Sequence, residues 1–507
     1  MGFKRGAGVL CNISSLPGKF GIGCFSYSAE SFARQIADMG FHWWQVLPLT
    51  SIGYGNSPYS GISTFAGNSL YINPFELKDL NLLTAEEADS AKYWGDPYKV
   101  NYAFAKNNVK NCLEIALTRL TDELKEEIEK FRKEEAYWIE DYALFMAIAE
   151  EEGKKWINWS EPLKNRDEKA LINFKEKKAD RIYFYVFEQF EFYREWYSLK
   201  KKINQSTVGV IGDLPFYVAS NSVDVWANRS LFQLDGDGRQ TAVAGVPPDA
   251  FSADGQIWGN PLYDFDEMKR DGYGWWRKRV KHCFKLYDAL RLDHFRAFHT
   301  YFSIPNNNPL TAKDGEWVKG PGLELIEYFK KDNPEGLFIA EDLGLITEDV
   351  QEFVEKTGFP GIRVFQFGFD GTPSPHLPHN YDKNVVCYTG THDNTTLLDW
   401  FYKQEESTRN FALQYCGFHG AGWGAGGSNC MSNKAVIKTL IMNPAILAVF
   451  PIQDLLGYGA DTRMNIPGVP EGNWEFRVSS DALMTIDRNY FLELNNTYGR
   501  NRGSYNI

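Results

Sequence analysis

The 507-residue chain lacks an excess of positive charge, and it also lacks long hydrophobic runs. Its 54 Lys and Arg residues are outnumbered by 66 Asp and Glu residues, which gives a formal net charge of −12. Nucleic acids and anionic membrane surfaces are bound through clustered basic side chains, so the sequence predicts neither as a partner. No segment approaches about 18 consecutive apolar residues, which argues against a membrane-spanning helix. A neutral ligand fits this composition better than a charged polymer does.

The chain contains seven cysteines but no Cys-x-x-Cys pair. An odd number of scattered cysteines favours free thiols in a reducing compartment over a disulfide framework. The first residues carry two basic side chains and then only a short apolar stretch, so we expect no signal peptide and a cytoplasmic location. Asp235 and Asp237 resemble the start of a calcium loop, but the later ligands are missing. We therefore expect no metal and no other cofactor, and no obligate protein partner is evident.

Aromatic residues are abundant: 15 Trp, 27 Tyr and 36 Phe make up 15% of the chain. Most of these rings must belong to the core of a protein whose 43% hydrophobic content is ordinary for a globular chain. Such rings are also flat, amphipathic platforms on which the apolar face of a ligand can stack. The composition is therefore compatible with a site in which some aromatic side chains stack on a ligand.

Short apolar runs recur along the chain, and each ends in polar or glycine-rich residues. Many have a helix-like stretch nearby, and alternating strands and helices imply parallel pairing. Eight such units predict a closed (β/α)₈ TIM barrel of the α/β class rather than an open sheet. The runs are residues 8–10, 42–48, 208–212, 289–293, 337–341, 362–366, 385–389 and 446–451.

Residues 76–205 differ from this pattern, because they are rich in Lys, Glu and aromatic residues with helical spacing. We expect them to form a mainly helical subdomain inserted into the barrel, with residues 1–75 before it and 206–507 after it. A second distinct stretch, 235–264, is full of Gly, Pro and Asp. It is too long for a plain connector, so we expect a functional loop there.

Three of the predicted strands end in ionisable residues, and in a barrel enzyme the chemistry lies at these ends. Arg291 and Asp293 share one face of a strand, so the guanidinium should keep Asp293 ionised and lower its pKa. An ionised, oriented aspartate is what a nucleophile requires. Glu341 follows four apolar residues, and partial burial would raise its pKa, as a general acid needs. Asp393 follows a third strand.

These carboxylates could form a catalytic set. One Asp and one Glu at separate strand ends match the pair that retaining glycosidases place about 5–5.5 Å apart. A third carboxylate could stabilise the positive charge of the transition state or bind ring hydroxyls. A single Asp at a strand end is more often a helix cap or a surface group, so the argument depends on all three occurring together.

Longer motifs accompany these residues in a fixed order across nearly the whole chain. They are Ser-Pro-Tyr-Ser at 57–60, Gly-Asp-Leu-Pro-Phe-Tyr at 212–217, Gly-Val-Pro-Pro-Asp at 245–249, Gly-Gln-Ile-Trp-Gly-Asn-Pro-Leu-Tyr at 255–263, Arg-Leu-Asp-His-Phe-Arg at 291–296, Ala-Glu-Asp-Leu-Gly at 340–344, Thr-His-Asp-Asn at 391–394, and Arg-Met-Asn-Ile-Pro-Gly at 463–468. The series resembles the amylomaltases, or disproportionating enzymes, which are 4-α-glucanotransferases related to the α-amylase clan. The helical region carries little of this resemblance.

The resemblance implies a role for each matching residue. Asp293 would be the nucleophile, Glu341 the acid/base and Asp393 the stabiliser of the transition state. Trp258 would lie in a flexible loop at 245–263 that covers the acceptor side. The residues implied to hold the sugars are Ser57, Tyr59, Asp213, Trp258, Arg291, His294, Asp370, His392 and Asn465. The family also implies long loops over the C-terminal face of the barrel and no C-terminal β-sandwich.

The sequence departs from the family at one place in the covering loop. Relatives often have Phe-Ser-Glu-Thr-Gly-Gln there, whereas this chain has Phe-Ser-Ala-Asp-Gly-Gln at 251–256. The carboxylate of Asp254 is thus displaced by one residue, so the family's pattern assigns it no role.

The resemblance implies transfer of an α-1,4-glucan segment from one maltooligosaccharide to the 4-hydroxyl of another glucan or of glucose. Retaining double displacement through a covalent glycosyl-aspartate would perform it. The expected partners are therefore maltooligosaccharides and α-1,4-glucans. Two alternatives remain open: an α-glucan hydrolase of the same clan, which would use the same carboxylates, and a non-catalytic glucan-binding protein.

Overall fold

The computed structural model describes residues 2–248, 253–307, 309, 311–369 and 373–501. Within these residues the strands, numbered in chain order, are β1 (Gly6–Leu10), β2 (Trp43–Gln45), β3 (Gly209–Leu214), β4 (Ala242–Val246), β5 (Gln256–Pro261), β6 (Ala289–Leu292), β7 (Thr300–Pro305), β8 (Glu316–Lys319), β9 (Leu337–Ala340), β10 (Gly361–Val364), β11 (Val385–Tyr388) and β12 (Leu447–Pro451).

Eight of the described strands form one parallel sheet in the order β10-β11-β12-β1-β2-β3-β6-β9. The sheet curves until its two ends meet, and the amide of Ala340 donates a 2.9 Å hydrogen bond to the carbonyl of Pro360 across the remaining gap. The eight strands overlap the eight predicted apolar runs, so the sequence-based prediction of a TIM barrel is confirmed.

The core of the barrel depends on close approach between neighbouring strands. Every residue of β1 and of β12 is buried. Gly8 of β1 lies opposite Trp43 of β2, and a Cβ at position 8 would stand only 2.7 Å from the Cβ of Trp43. Glycine at position 8 therefore allows the backbones of β1 and β2 to approach closely at this point.

Helices follow or precede the barrel strands throughout the described residues. They are α1 (Tyr27–Asp38), α2 (Pro74–Asp79), α3 (Ala85–Ser90), α4 (Tyr102–Leu117), α5 (Asp122–Glu134), α6 (Ile139–Glu152), α7 (Glu161–Lys164), α8 (Glu168–Lys177), α9 (Ala179–Gln205), α10 (Val223–Ala227), α11 (Phe265–Arg270), α12 (Gly274–Leu286), α13 (Gly322–Asp332), α14 (Glu348–Thr357), α15 (Leu397–Lys403), α16 (Glu406–Tyr415), α17 (Met431–Met442), α18 (Ile452–Leu455), α19 (Ser480–Met484) and α20 (Arg488–Thr497).

Between β2 and β3 the chain forms helices α2 to α9. The charged helix α5 is capped by Thr121, carries acidic residues in its first turn and basic residues in its last, and buries Ile128. This charge order complements the helix dipole and explains why so polar a segment is helical. Helix α9 is different, because it contacts α6 and also both α1 and β3. It therefore connects the helical region to the barrel.

A second sheet interrupts the chain between β3 and β9. It is antiparallel, has the order β5-β4-β7-β8, and encloses a small apolar cluster of Val243, Phe302, Ile304 and Ala312. The stretch 235–264, expected to be a loop, contains β4 and β5 of this sheet, so that expectation was wrong in part. The two strands are short, rich in Gly and Pro, and irregular in register at Val243 and Gly245, which hides the alternation typical of a strand.

Two general features concern the helices and the cysteines. None of the helices in the described ranges is both long enough and apolar enough to cross a bilayer. All seven cysteines, each within the described part of the chain, are free thiols, and six of them are buried.

Candidate active site

The functional side chains converge at the C-terminal ends of the barrel strands. Asp213 lies on β3, opposite Arg291 on the neighbouring β6. Asp293 comes directly after β6 and Glu341 directly after β9, which pairs with β6 in parallel. Asp393 is in the segment after β11. Because parallel strands end at the same rim of the barrel, the fold brings the predicted carboxylates to one place.

The guanidinium of Arg291 is the positive centre of this site. Its Nη1 contacts the two carboxylate oxygens of Asp213 at 2.7 and 2.6 Å, and its Nη2 lies 3.0 Å from Asp293 Oδ1. The hydroxyl of Tyr59 donates to Asp213 Oδ2 at 2.7 Å. Arg291 and Asp213 are almost fully buried, and the surrounding negative charges hold the pKa of Arg291 well above its ordinary value despite burial. The guanidinium of Arg291, itself held by Asp213, therefore holds the Asp293 carboxylate at Oδ1.

The pKa of Asp293 is raised well above its usual range, although Arg291 acts to lower it, as the sequence predicted. Burial is the main cause, and the negative charges of Asp213, Glu341 and Asp393 add to it. Arg291 opposes the shift, but one guanidinium is shared between Asp213 and Asp293. The sequence showed the Arg–Asp pair on β6 but not the additional carboxylates that converge on it.

Glu341 is held at both carboxylate oxygens by backbone amides. Oε2 accepts a 2.7 Å hydrogen bond from the amide of His294, and Oε1 accepts one of 3.0 Å from the amide of Leu343. Burial raises the pKa of Glu341, in the direction predicted from the sequence, while Arg291 and the two amides oppose that shift. His294 itself is in the left-handed region, at φ 49°.

Asp393 occupies the other side of the rim and is about half exposed. Asn465 Nδ2 donates to Asp393 Oδ1 at 2.6 Å, and His392 Nε2 lies 3.4 Å from the same oxygen. Arg463 donates to the main-chain carbonyl of Asp393 at 2.6 Å. The predicted residues His392, Asp393 and Asn465 therefore form one connected group, and Arg463 is an addition that sequence reasoning did not single out.

Two groups of aromatic side chains border the carboxylates. The ring of Tyr59 stacks on His392 at 5.1 Å, with Trp474 packed against both. The indole of Trp258, on β5, lies 4.9 Å from the imidazole of His294 at an angle of 78°. Trp258 is 39% exposed, so one part of its ring faces solvent beside the site.

Tyr217 also belongs to the second aromatic group, with its ring 6.2 Å from Trp258 and 6.1 Å from His294. Among the described residues, neither the buried Tyr217 hydroxyl nor His294 Nε2 has a hydrogen-bond partner. The motif at 212–217 includes Tyr217, to which sequence reasoning gave no role, and Trp474 lies outside the quoted motifs. Their position beside the carboxylates depends on packing that a motif does not reveal.

The remaining sequence predictions fall in three different places. Ser57 Oγ accepts a 3.2 Å hydrogen bond from the amide of Tyr59, so it lies next to a predicted sugar contact. Asp370 lies outside the described residues. Asp254 pairs with Lys313 Nζ at 2.7 Å, and its carbonyl accepts from Ala312. The displaced carboxylate of the covering segment therefore forms an exposed ion pair with a residue outside that segment.

The arrangement combines two carboxylates of raised pKa on neighbouring strand ends with a flanking third carboxylate and aromatic walls. In the described ranges, His, Cys, Asp and Glu side chains form no group of three or more that could hold a metal ion. In such a pair, one carboxylate can attack an anomeric carbon while the other protonates the glycosidic oxygen that leaves it. Aromatic rings can stack on pyranose faces. Fold and site together define a carbohydrate-active barrel enzyme.

Comparison with known proteins agrees with this class. The sequence profile of a glycoside hydrolase family described as 4-α-glucanotransferase matches residues 11–483. A 4-α-glucanotransferase of Aquifex aeolicus is 41% identical over 498 residues, covering 98% of this chain and 99% of the relative. One from Thermus thermophilus is 40% identical over 488 residues, covering 95% of this chain and 96% of the relative.

A solved structure is similar over the same length. The amylomaltase from Streptococcus agalactiae, determined in complex with acarbose, superposes with a TM-score of 0.93 at 36% identity, covering 98% of this chain and all of that one. The chain therefore belongs to the 4-α-glucanotransferase family, as its motifs had indicated.

Proposed function

We propose that the protein transfers an α-1,4-glucan segment from one maltooligosaccharide to the 4-hydroxyl of another glucan or of glucose. The observation that carries this proposal is the placement of Asp293 and Glu341 on adjacent strand ends, with Arg291 in contact with Asp293 and the amide of His294 bonded to Glu341. Curated relatives named 4-α-glucanotransferase, similar over their full length, support the same activity.

Asp293 acts as the nucleophile in the first half of the reaction. Both carboxylates have raised pKa values, and Asp293 is the one in direct contact with the guanidinium. Burial raises the pKa of Asp293 strongly, but its ion pair with Arg291 favours the carboxylate form, so we assign the negative charge to Asp293 and the proton to Glu341. An oxygen of Asp293 attacks the anomeric carbon, the bond from that carbon to the leaving O4 breaks, and O4 takes the proton of Glu341.

The second half of the reaction reverses these roles. The ionised Glu341 accepts the proton of the incoming 4-hydroxyl, whose oxygen attacks the anomeric carbon and displaces Asp293. One α-1,4 bond replaces another, so the reaction needs no cofactor, nucleotide or phosphate. Asp393, held by Asn465, faces the positive charge of the oxocarbenium-like transition state.

The sugar rings are held by the side chains around the carboxylates. Tyr59, stacked on His392, forms one wall, and Asp213 and Arg291 lie beneath it. His294 and Tyr217 lie beside Trp258, and neither His294 Nε2 nor the buried Tyr217 hydroxyl has a hydrogen-bond partner among the described residues. Trp258 favours a sugar over water as acceptor, because an indole stacks on the apolar face of a glucose ring and displaces solvent. This preference separates transfer from hydrolysis.

Maltotriose supplied alone tests the function directly. We expect glucose together with maltodextrins longer than maltotriose, formed without nucleotide or phosphate. Glucose and maltose alone, with no longer product, would establish the hydrolase instead. No reaction, together with maltotriose binding detected by calorimetry, would establish the glucan-binding protein. Asp293→Asn serves as the control that any observed turnover comes from this site.

We further propose that residues 76–205 form a subdomain inserted between the barrel segments 1–75 and 206–507. Helices α2 to α9 and the contact of α5 with α9 support it. Limited proteolysis tests this division: we expect protected fragments that begin or end near residues 75 and 205, whereas cleavage spread evenly through α4 to α8 would contradict it.

A further inference from the structure

The point at which the barrel closes lies next to Glu341. Strands β9 and β10 are the two ends of the parallel sheet, and we call the gap between them the seam. The bond from Ala340 to Pro360 crosses it one residue before Glu341. On the side facing β6, backbone hydrogen bonds hold Glu341 in place: its amide donates to the carbonyl of Leu292, and its carbonyl accepts from the amide of Phe295. The position of Glu341 therefore depends on what holds the seam.

The side chain of Asp342 reaches across this seam. Its Oδ1 accepts a 2.5 Å hydrogen bond from the amide of Ile362, and its Oδ2 lies 3.2 Å from Arg363 Nη1. The Asp342 side chain is only 10% exposed, and Arg363 is 19% exposed. The carboxylate thus takes the place of a strand carbonyl as the acceptor for β10, in a partly buried setting where charge-assisted hydrogen bonds are strong.

Gly361 makes this approach possible. A Cβ at position 361 would stand 2.5 Å from Asp342 Oδ2 and 2.9 Å from its Cγ. Any larger residue would push the carboxylate away from β10 or displace the strand. The seam is thus built around the Asp342 side chain, and the residue beside it in the chain is the proposed acid/base.

We propose that Asp342 is a positioning residue for Glu341. Its side chain connects β9 to β10 across the seam, and its negative charge lies beside the acid. This inference rests on the proposed function. The charged groups that act on the pKa of Glu341 are Arg291, Asp293 and Asp342, and Arg363 faces Asp342 from β10. His294 contributes no charge, because burial lowers its pKa to about 3.

A pair of charge variants tests the proposal. Asp342→Asn keeps an acceptor for the Ile362 amide but removes the negative charge, so the proton of Glu341 is held less tightly. We expect the basic limb of kcat/KM for maltotriose to move down by roughly 0.5–1 pH unit. Arg363→Met leaves the charge of Asp342 uncompensated, and the same limb should move up by a similar amount.

A geometric variant separates position from charge. Gly361→Ala displaces the Asp342 carboxylate but keeps both charges, so we expect kcat to fall by about 10–100-fold with KM for maltotriose little changed. The pH limb should stay close to that of the wild type. This variant, together with Arg363→Met, keeps the test decisive where Asp342→Asn folds poorly.

The outcomes distinguish this inference from the proposed function. A wild-type protein that forms no longer maltodextrins from maltotriose refutes the function itself. An active wild-type protein whose Asp342→Asn and Arg363→Met variants keep the wild-type pH limb, or move it in the same direction, refutes the positioning role of Asp342. In that case Asp342 only stabilises the barrel, and the variants differ from wild type in thermal stability alone.

Discussion

Glu341 Oε2 accepts a 2.7 Å hydrogen bond from the backbone amide of His294, the residue that follows Asp293. This hydrogen bond connects the end of β9 to the end of β6, so the positions of the two proposed catalytic carboxylates are coupled. Both also lie within the electrostatic influence of Arg291. The chemistry proposed for the site depends on this shared framework, and each residue in it can be tested separately.

Asp293→Asn should abolish transfer while leaving the fold intact. The change removes the nucleophile, and the loss of a step that nothing else supplies lowers kcat by about 10⁴-fold or more. Asn keeps an acceptor oxygen beside Arg291, so the melting temperature should change little. Maltotriose turnover and circular dichroism measure the two effects. Asp237→Asn, at a 67% exposed side chain, is the matched control and should behave as wild type. An unfolded Asp293→Asn protein would indicate a structural carboxylate.

The pH dependence of kcat/KM should report the raised pKa of Glu341. The general acid must be protonated, so activity is retained up to that raised pKa and is lost as the pH rises through it. We expect the midpoint of the basic limb to lie at a pH above about 4.3, the ordinary pKa of a glutamate. Glu341→Gln should remove this limb from whatever activity remains. A basic limb that persists unchanged in Glu341→Gln would assign it to another group.

Trp258→Ala should shift the products from transfer towards hydrolysis. The indole lies 4.9 Å from His294 at the border of the site, and its loss admits water and removes a stacking surface for the acceptor sugar. We expect the ratio of maltodextrins longer than maltotriose to newly formed reducing ends to fall about 10-fold, as measured by chromatography and a reducing-sugar assay. Ile257→Ala is the matched control, since its side chain points to the opposite face of β5. An equal change in both variants would contradict the role given to Trp258.

Glu195→Gln should stabilise the protein at high pH. Glu195 is buried on α9, and burial, reinforced by Glu191, raises its pKa well above the ordinary value. A carboxyl with a raised folded-state pKa stabilises the fold below its unfolded-state pKa, and that stability is lost as the pH rises through the folded-state pKa. Glutamine keeps an acceptor for the amide of Asn73, which bonds to Glu195 at 2.9 Å, and avoids this loss.

The measurement is the free energy of unfolding at two pH values. At pH 8 the Glu195→Gln variant should exceed wild type by at least about 1.4 kcal/mol, the equivalent of one pKa unit. At pH 5 the two should differ much less. The exposed Glu493→Gln is the control. A variant that is less stable than wild type at pH 8 would mean that the carboxylate is held ionised.

The barrel could be predicted from the sequence because its strands are buried on both faces. A parallel strand between helices appears as a short continuous apolar run, and all eight runs became strands. The second sheet was not predicted, because β4 and β5 contain Gly and Pro and are paired irregularly. β7, which pairs with β4, lies far along the chain, and pairing across such a distance has no local signal.

The site was predictable where chemistry depends on residue type next to a strand end. Asp293, Glu341 and Asp393 follow β6, β9 and β11, and the fold brings their strand ends to one rim. The raised pKa of Asp293 was not predictable, because it arises mainly from burial and is reinforced by Asp213, Glu341 and Asp393, which are distant in sequence. The role proposed for Asp342 was not predictable either, because it depends on where the barrel closes.

The central claim is that Asp293 and Glu341 act on opposite sides of one anomeric carbon. The most direct test uses Glu341→Gln with an α-maltosyl fluoride that lacks the 4-hydroxyl at its non-reducing end. Fluoride leaves without a proton from Glu341, whereas release of the sugar needs the missing base, so the covalent enzyme accumulates. Peptide mapping by mass spectrometry should find the maltosyl group on Asp293, and Asp293→Asn in the same background should remove it. A sugar attached to another residue, or an inverted product formed without any adduct, would contradict the account.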